Sequence, residues 1–343
     1  MEILSRIKKS ARILLKGDPK KKKRDPIPAI TPEDVAEIRQ FFPREKFFIF
    51  GHARSGTTLL MRLARLHPEV HCNYQAHFFT RQPLLKSLVD TPEAEEWLRR
   101  KSNRWNQGRD LSSLVLRAAA DFIMERDAAG QGKRIVGDKS PSSTIHGQAV
   151  RDLHAVYPDG KLVYIVRDGR DVLISERFRN LVEESKFLKA EDKRIIEELR
   201  KDHTQFTNGT RSIFTENVIR RVANGWVKNV QETEVEGRRL FGEHYFSLRY
   251  EDLLARPFDE MKNLWAFLGV RADPSLEKAI TDEMSSNPDE EWQAKRNEDI
   301  ASFLPKGQAG NWQRLFTARD KSIFKEVAGE MLIKWNYEKD SNW

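Results

Sequence analysis

Cysteine is nearly missing from this chain: among 343 residues there is one, Cys72. No intrachain disulfide can form, which excludes a disulfide-stapled scaffold and fits a reducing compartment. Long apolar runs are missing as well. No stretch approaches the roughly 20 apolar residues of a membrane-spanning helix, and residues 1–25 hold no continuous apolar run of secretory-leader length. His, Cys, Asp and Glu are nowhere clustered at ligand spacing, so no metal is expected. No internal repeat is visible. What the chain does have suits a folded, soluble body: 39% apolar residues, nineteen Phe, eight Trp and a charged fraction of 33%.

The formal net charge of +8 is concentrated at one end. Residues 1–25 hold ten Lys or Arg against three acids, which leaves the remainder close to neutral. A basic stripe across the folded body is therefore excluded, and with it a large nucleic-acid footprint. Within this segment Ile3, Leu4, Ile7, Ala11, Leu14 and Leu15 recur at helical spacing, with Arg6, Lys9, Arg12 and Lys16 between them and a Lys-rich run at 20–24. Two readings stay open: a solvated tail, or a basic amphipathic helix that docks on anionic lipid. The expected location is cytoplasmic, at most peripheral to a membrane.

Residues 1–26 read as this tail, Pro26 to Pro32 as a linker, and residues 27–343 as a single domain. From Lys46 onward strands and helices alternate. Strands are predicted over 46–51, 134–138, 161–167 and 244–250. Helices are predicted over 57–66, 143–157, around 172–178, over 258–269 and over 317–337. Two long charged helical excursions, 81–130 and 183–235, interrupt the alternation. Such a pattern predicts an α/β fold with a parallel sheet flanked by helices.

Gly51 to Thr58 (GHARSGTT) lies between a strand and a helix. In that context the backbone N–H groups at the helix start cradle an anion, and Gly51 and Gly56 permit the turn. A nucleotide-triphosphate loop reads G-x-x-x-x-G-K-[ST]. Here both glycines are in register, but Thr57 stands in place of the lysine and the basic residue is Arg54. A second anion site is suggested by Arg167 at a strand end and Ser175 eight residues on, in the following helix. A guanidinium fork and a hydroxyl suit a dianionic phosphate there. The other reading is an arginine held by the local acids Asp168 and Asp171. Arg170 and Asp171 are read as setting the turn.

HARSGTTLLMRLARLHPEV resembles the 5′-phosphosulfate loop of sulfotransferases that use 3′-phosphoadenosine 5′-phosphosulfate (PAPS). It is most similar to the Arg-Ser-Gly-Thr-Thr form of tyrosylprotein sulfotransferases and bacterial relatives. The resemblance implies a P-loop-type sulfotransferase fold with helical insertions, PAPS as donor and adenosine 3′,5′-bisphosphate (PAP) as product. It implies that Arg54, Ser55, Gly56, Thr57 and Thr58 hold the phosphosulfate and that Arg167 and Ser175 hold the 3′-phosphate. Asp138 and Lys139 in VGDKSPSST (136–144) resemble the family segment that carries a base or helper lysine; a plain turn salt bridge is the other reading. Tyr250 matches the tyrosine of the family's Tyr-Glu-Asp strand end, which meets the adenine, and is otherwise a core tyrosine. Lys306 and Gly307 match the loop over the 3′-phosphate, with Pro305 in place of its usual arginine, and are otherwise part of a Gly-rich loop. Leu59 stands where cytosolic relatives have an aromatic residue.

Arg54 and Lys139 are the expected charge stabilisers of an in-line transfer. Gln75 stands where tyrosylprotein sulfotransferases carry their catalytic Glu and cannot take a proton, so the base is expected to be His77 or Asp138. A carbohydrate, lipid or small-alcohol acceptor is expected ahead of protein tyrosine. Two rival functions stay open: a P-loop kinase or NTPase, and a non-catalytic, membrane-docked protein on the same scaffold.

Overall fold

The computed structural model describes residues 27–81, 85–144, 146–183, 188–286 and 307–343. The basic tail and Lys306 lie outside the described residues. Five strands form one sheet: β1 (Glu45–Gly51), β2 (Val70–Tyr74), β3 (Ile135–Lys139), β4 (Lys161–Val166) and β5 (Tyr245–Arg249). Their order is β2-β3-β1-β4-β5, and every pairing is parallel. One strand more is present than the sequence pattern predicts. β2 was not anticipated because, although Pro68 marks a turn before it and Val70, Cys72 and Tyr74 alternate with polar residues, five residues are too few to separate a strand from a loop.

Parallel strands need crossovers, and these cover both faces of the sheet. On β1, Phe47 and Ile49 face one core while Phe48 and Phe50 face the other. That is why KFFIFG reads as a continuous apolar run. The Phe47 face packs against α1 (Thr57–Ala64) and, through Leu264 and Trp265, against a helix over Pro257–Leu268. The Phe48 face packs against α2 (Ser112–Arg126), α3 (Gly147–Val156), α4 (Gly169–Val182), α5 (Glu216–Phe241) and α6 (Ala318–Lys334). The predicted helix over 143–157 thus begins only at Gly147.

At the N-terminal end of β1 a buried ionic network ties sheet to helix. Lys46 Nζ donates to Glu125 at 2.8 Å and lies 3.6 Å from Asp121. Arg117 donates to Asp121 at 3.0 Å and to Asp159 at 2.7 Å. Each buried charge has a partner, as burial demands. The opposite, C-terminal end of the strands carries the loops that hold the residues singled out from sequence.

Candidate active site

Strand order reverses around β1 and β4, so a crevice forms where their C-terminal ends diverge, the place where open α/β sheets take ligands. The loop after β1 is shaped by two left-handed residues, Arg54 (φ 74°) and Gly56 (φ 85°). Gly56 is obligatory. A Cβ there would lie 2.2 Å from the ring of Tyr250, and the backbone conformation is one that side chains resist. Gly56 is also the N-cap of α1 and supplies no side-chain cap. The first N–H groups of the helix, which have no intrahelical partner, therefore meet the loop's concave side. Ser55 is 1% exposed, and its buried hydroxyl has no hydrogen-bond partner among the described residues. A buried orphan hydroxyl at this position fits an anion's oxygen.

The two predicted anion sites converge. Arg54 Nε donates to Ser175 Oγ at 3.0 Å, and Arg167 donates to the Arg54 carbonyl at 3.1 Å and to the Gln308 carbonyl at 3.0 Å. Among the described residues, the buried Arg167 Nε has no partner. The local acids are spent elsewhere. Asp168 pairs with Arg170 at 2.7 Å, and Asp171 accepts from the N–H groups of Gly310 at 2.6 Å and Trp312 at 3.1 Å. Arg170 and Asp171, read from sequence as setting the turn, reach further: Arg170 lies 3.6 Å from the Trp312 ring centre, and Asp171 holds the 307–312 loop in place. Trp226 of α5 donates to the Arg167 carbonyl at 3.0 Å and fixes the end of β4. Burial, followed by the charges of Arg179 and Arg167, lowers the pKa of Arg54. Such a crowd of cations suits a highly anionic ligand.

Tyr250 lies just past the strand it was assigned to, as the first residue of a helix over Tyr250–Ala255. The acids Glu251 and Asp252 in that first turn favour the helix. Its ring is 4% exposed, packs on Gly56 and lies 4.7 Å from the Arg167 guanidinium carbon, while its hydroxyl donates to the Gly307 carbonyl at 2.8 Å. It is a core tyrosine and a wall of the site at once. Gly307 has φ 72° and opens the loop that passes Arg167.

On the β3 side, Lys139 is fully buried and donates to Thr58 Oγ1 at 3.1 Å, and among the described residues it has no ion pair. The turn salt bridge is thus not what holds it. Burial pulls its pKa down to about 8. Asp138 accepts from the Ala76 N–H at 2.9 Å and from the Ser140 hydroxyl. Burial pushes its pKa up to about 6. Both carboxylate oxygens are occupied in shaping the 75–77 segment. His77, in a left-handed conformation (φ 55°), has Nδ1 2.9 Å from Thr80 Oγ1, while Nε2 is buried with no partner among the described residues. Burial, then Arg81 and Lys139, lowers its pKa to about 4, so the ring is neutral near pH 7.

Sequence reasoning missed Tyr74, whose ring centre lies 3.9 Å from Lys139 Nζ. Its signal was hidden with β2, since only strand register brings Tyr74 beside Lys139. It also missed Trp226 and the Gln308 carbonyl, which sit far along the chain from Arg167.

The sulfotransferase family model matches residues 46–274, from the start of the phosphate loop's strand to beyond β5. The chain belongs to the sulfotransferase family. Protein-tyrosine sulfotransferase A of Caenorhabditis elegans is 32% identical over 125 residues, covering 36% of this chain and 30% of the relative. A protein-tyrosine sulfotransferase of Drosophila melanogaster is 30% identical over 126 residues, covering 36% of this chain and 23% of the relative. The match thus spans less than a third of these relatives' length. A mouse sulfotransferase complexed with PAP superposes with a TM-score of 0.47 at 15% identity, covering 88% of this chain and 90% of that one. Among the described residues no group of three His, Cys, Asp or Glu is placed to hold a metal, and no helix is long and apolar enough to cross a membrane.

Proposed function

We propose that this sulfotransferase-family protein moves a sulfuryl group from PAPS to an acceptor hydroxyl. One observation carries the reading: Arg54, Ser175 and Arg167 converge beside the buried Ser55 Oγ and Arg167 Nε, which have no partner among the described residues. Two anion-binding loops in one crevice match a donor phosphorylated at both 5′ and 3′ positions. An ATP reading has no lysine in its loop and no use for the second site. In this reading Arg54, Ser55, Gly56, Thr57 and Thr58 bind the phosphosulfate. Arg167, Ser175 and Gly307 bind the 3′-phosphate, and Tyr250 closes the wall; Lys306, outside the described residues, is assigned to the same loop.

PAPS supplies the sulfuryl group, whose bond to the bridging oxygen breaks as a bond to the acceptor oxygen forms. Lys139 and Arg54 offset the negative charge that develops on the leaving phosphate. His77 takes the acceptor's proton at Nε2, with Nδ1 oriented by Thr80. We assign it ahead of Asp138, whose oxygens are already bonded. Both curated relatives are named for protein tyrosine, which moves a protein hydroxyl ahead of the carbohydrate, lipid and small-alcohol acceptors expected from sequence. Residues 27–343 act as one unit in this reading, and the lone buried Cys72 suits a reducing compartment.

Calorimetric titration with PAP, ADP and Mg·ATP tests the donor site. Tight binding of PAP with weak binding of ADP is the expected result. Preference for Mg·ATP would return the kinase reading, and binding of none would leave a non-catalytic scaffold.

A further inference from the structure

Tyr74 and Lys139 are register partners in the parallel pair β2–β3, so their side chains emerge side by side on one face of the sheet. The ammonium of Lys139 lies 3.9 Å from the Tyr74 ring centre and donates to Thr58 Oγ1 at 3.1 Å. Lys139 is fully buried, while Tyr74 is 60% exposed. A lysine has a flexible four-carbon stem and three rotatable donors, so one hydrogen bond does not fix it. A ring laid against the ammonium does two things: it attracts the charge through its π face and keeps water off it. Tyr74 is otherwise an exposed aromatic on an edge strand, where a polar residue would satisfy folding.

We infer that Tyr74 is the positioning residue for Lys139, covering its ammonium and holding it against the phosphate loop at Thr58. The catalytic weight of this contact rests on the proposed sulfuryl transfer, but the contact itself does not. Gln75, which follows Tyr74, has its N–H bonded to the Lys139 carbonyl at 2.9 Å, so the backbone pairing continues past the strand and holds the two residues in line.

The test uses the full chain and limiting acetic anhydride, with Lys139 acetylation followed by peptide mass mapping. In the unsubstituted protein Lys139 reacts slowly. Tyr74→Ala is expected to raise its labelling at least tenfold, while Tyr74→Phe, which keeps the ring, retains the protection. PAP affinity of both variants reports that the phosphate loop is intact. PAPS hydrolysis, with water as acceptor, is expected to fall about tenfold in Tyr74→Ala through turnover and not through the PAPS concentration at half-maximal rate. Unchanged Lys139 labelling in Tyr74→Ala, or equal exposure in Tyr74→Phe, overturns the inference. If the unsubstituted protein binds PAP weakly and does not hydrolyse PAPS, the functional reading falls, and the labelling still decides the role of Tyr74.

Discussion

Arg54 Nε donates to Ser175 Oγ across 3.0 Å, although 121 positions separate the two residues. This bond joins the loop after β1 to the helix after β4 and makes one site from two motifs. A ligand with anionic groups at both ends must take over these donors. Arg167→Ala is expected to weaken PAP binding by roughly 10–100-fold, the worth of a charged hydrogen bond of about 1.5–3 kcal/mol. Ser175→Ala, which removes a neutral hydroxyl, is expected to cost about fivefold. Calorimetry on both variants checks the order of the two effects.

Gly56→Ala places a methyl group inside the Tyr250 ring and in a left-handed backbone conformation. Overpacking of this kind costs about 1–3 kcal/mol, and the strained backbone adds to it. The thermal midpoint should drop by several degrees, and PAP binding should be lost. A variant with unaltered midpoint and affinity would mean that Tyr250 does not cover this glycine.

His77 and Asp138 pull stability in opposite directions across the same acidic range. The folded pKa of His77, about 4, lies below its ordinary 6.5, so the unfolded chain binds the extra proton and stability grows as pH rises through that window. The folded pKa of Asp138, about 6, lies above its ordinary 3.8, so stability shrinks as pH rises from about 4 to 6. Denaturation midpoints should therefore vary little there in the unsubstituted protein. Asp138→Asn should leave a midpoint that climbs with pH, and His77→Gln one that declines. In the assigned mechanism His77→Gln also loses most turnover while PAP affinity is kept.

Lys139 separates activity from stability at alkaline pH. Its folded pKa, about 8, lies below the ordinary 10.5. The fold gains stability between these values because the neutral amine is cheaper to bury. In the assigned mechanism turnover uses the ammonium and is expected to decline as pH passes about 8. A pH profile of PAPS hydrolysis beside one of thermal midpoint would show the two curves diverging, and Lys139→Arg should carry the alkaline decline beyond the measurable range.

The buried network at the other end of β1 supplies a contrast. Asp121→Ala leaves the buried Arg117 and Lys46 short of a counter-charge. Breaking a buried pair costs about 3–5 kcal/mol. Chemical denaturation should register that loss, while PAP affinity of the folded fraction stays the same.

Local chemistry made much of this protein legible in one dimension. The apolar run at 46–51, the Gly-x-x-x-x-Gly turn and the helical spacing after Thr57 define a strand–loop–helix unit, because period and turn chemistry act over a few residues. The same holds for Arg167 and Ser175, which occupy the end of one strand and the next helix. What folding added is long in range. The contact of Arg54 with Ser175, the Tyr250 ring over Gly56 and the loop of Gly307 across Arg167 depend on how crossovers stack strands, which spacing does not encode. β2 is the clearest case. Five residues, whose alternation is too short to set them apart from a loop, pair with β3, since the edge of a parallel sheet offers unsatisfied backbone groups. Only that register puts Tyr74 on Lys139.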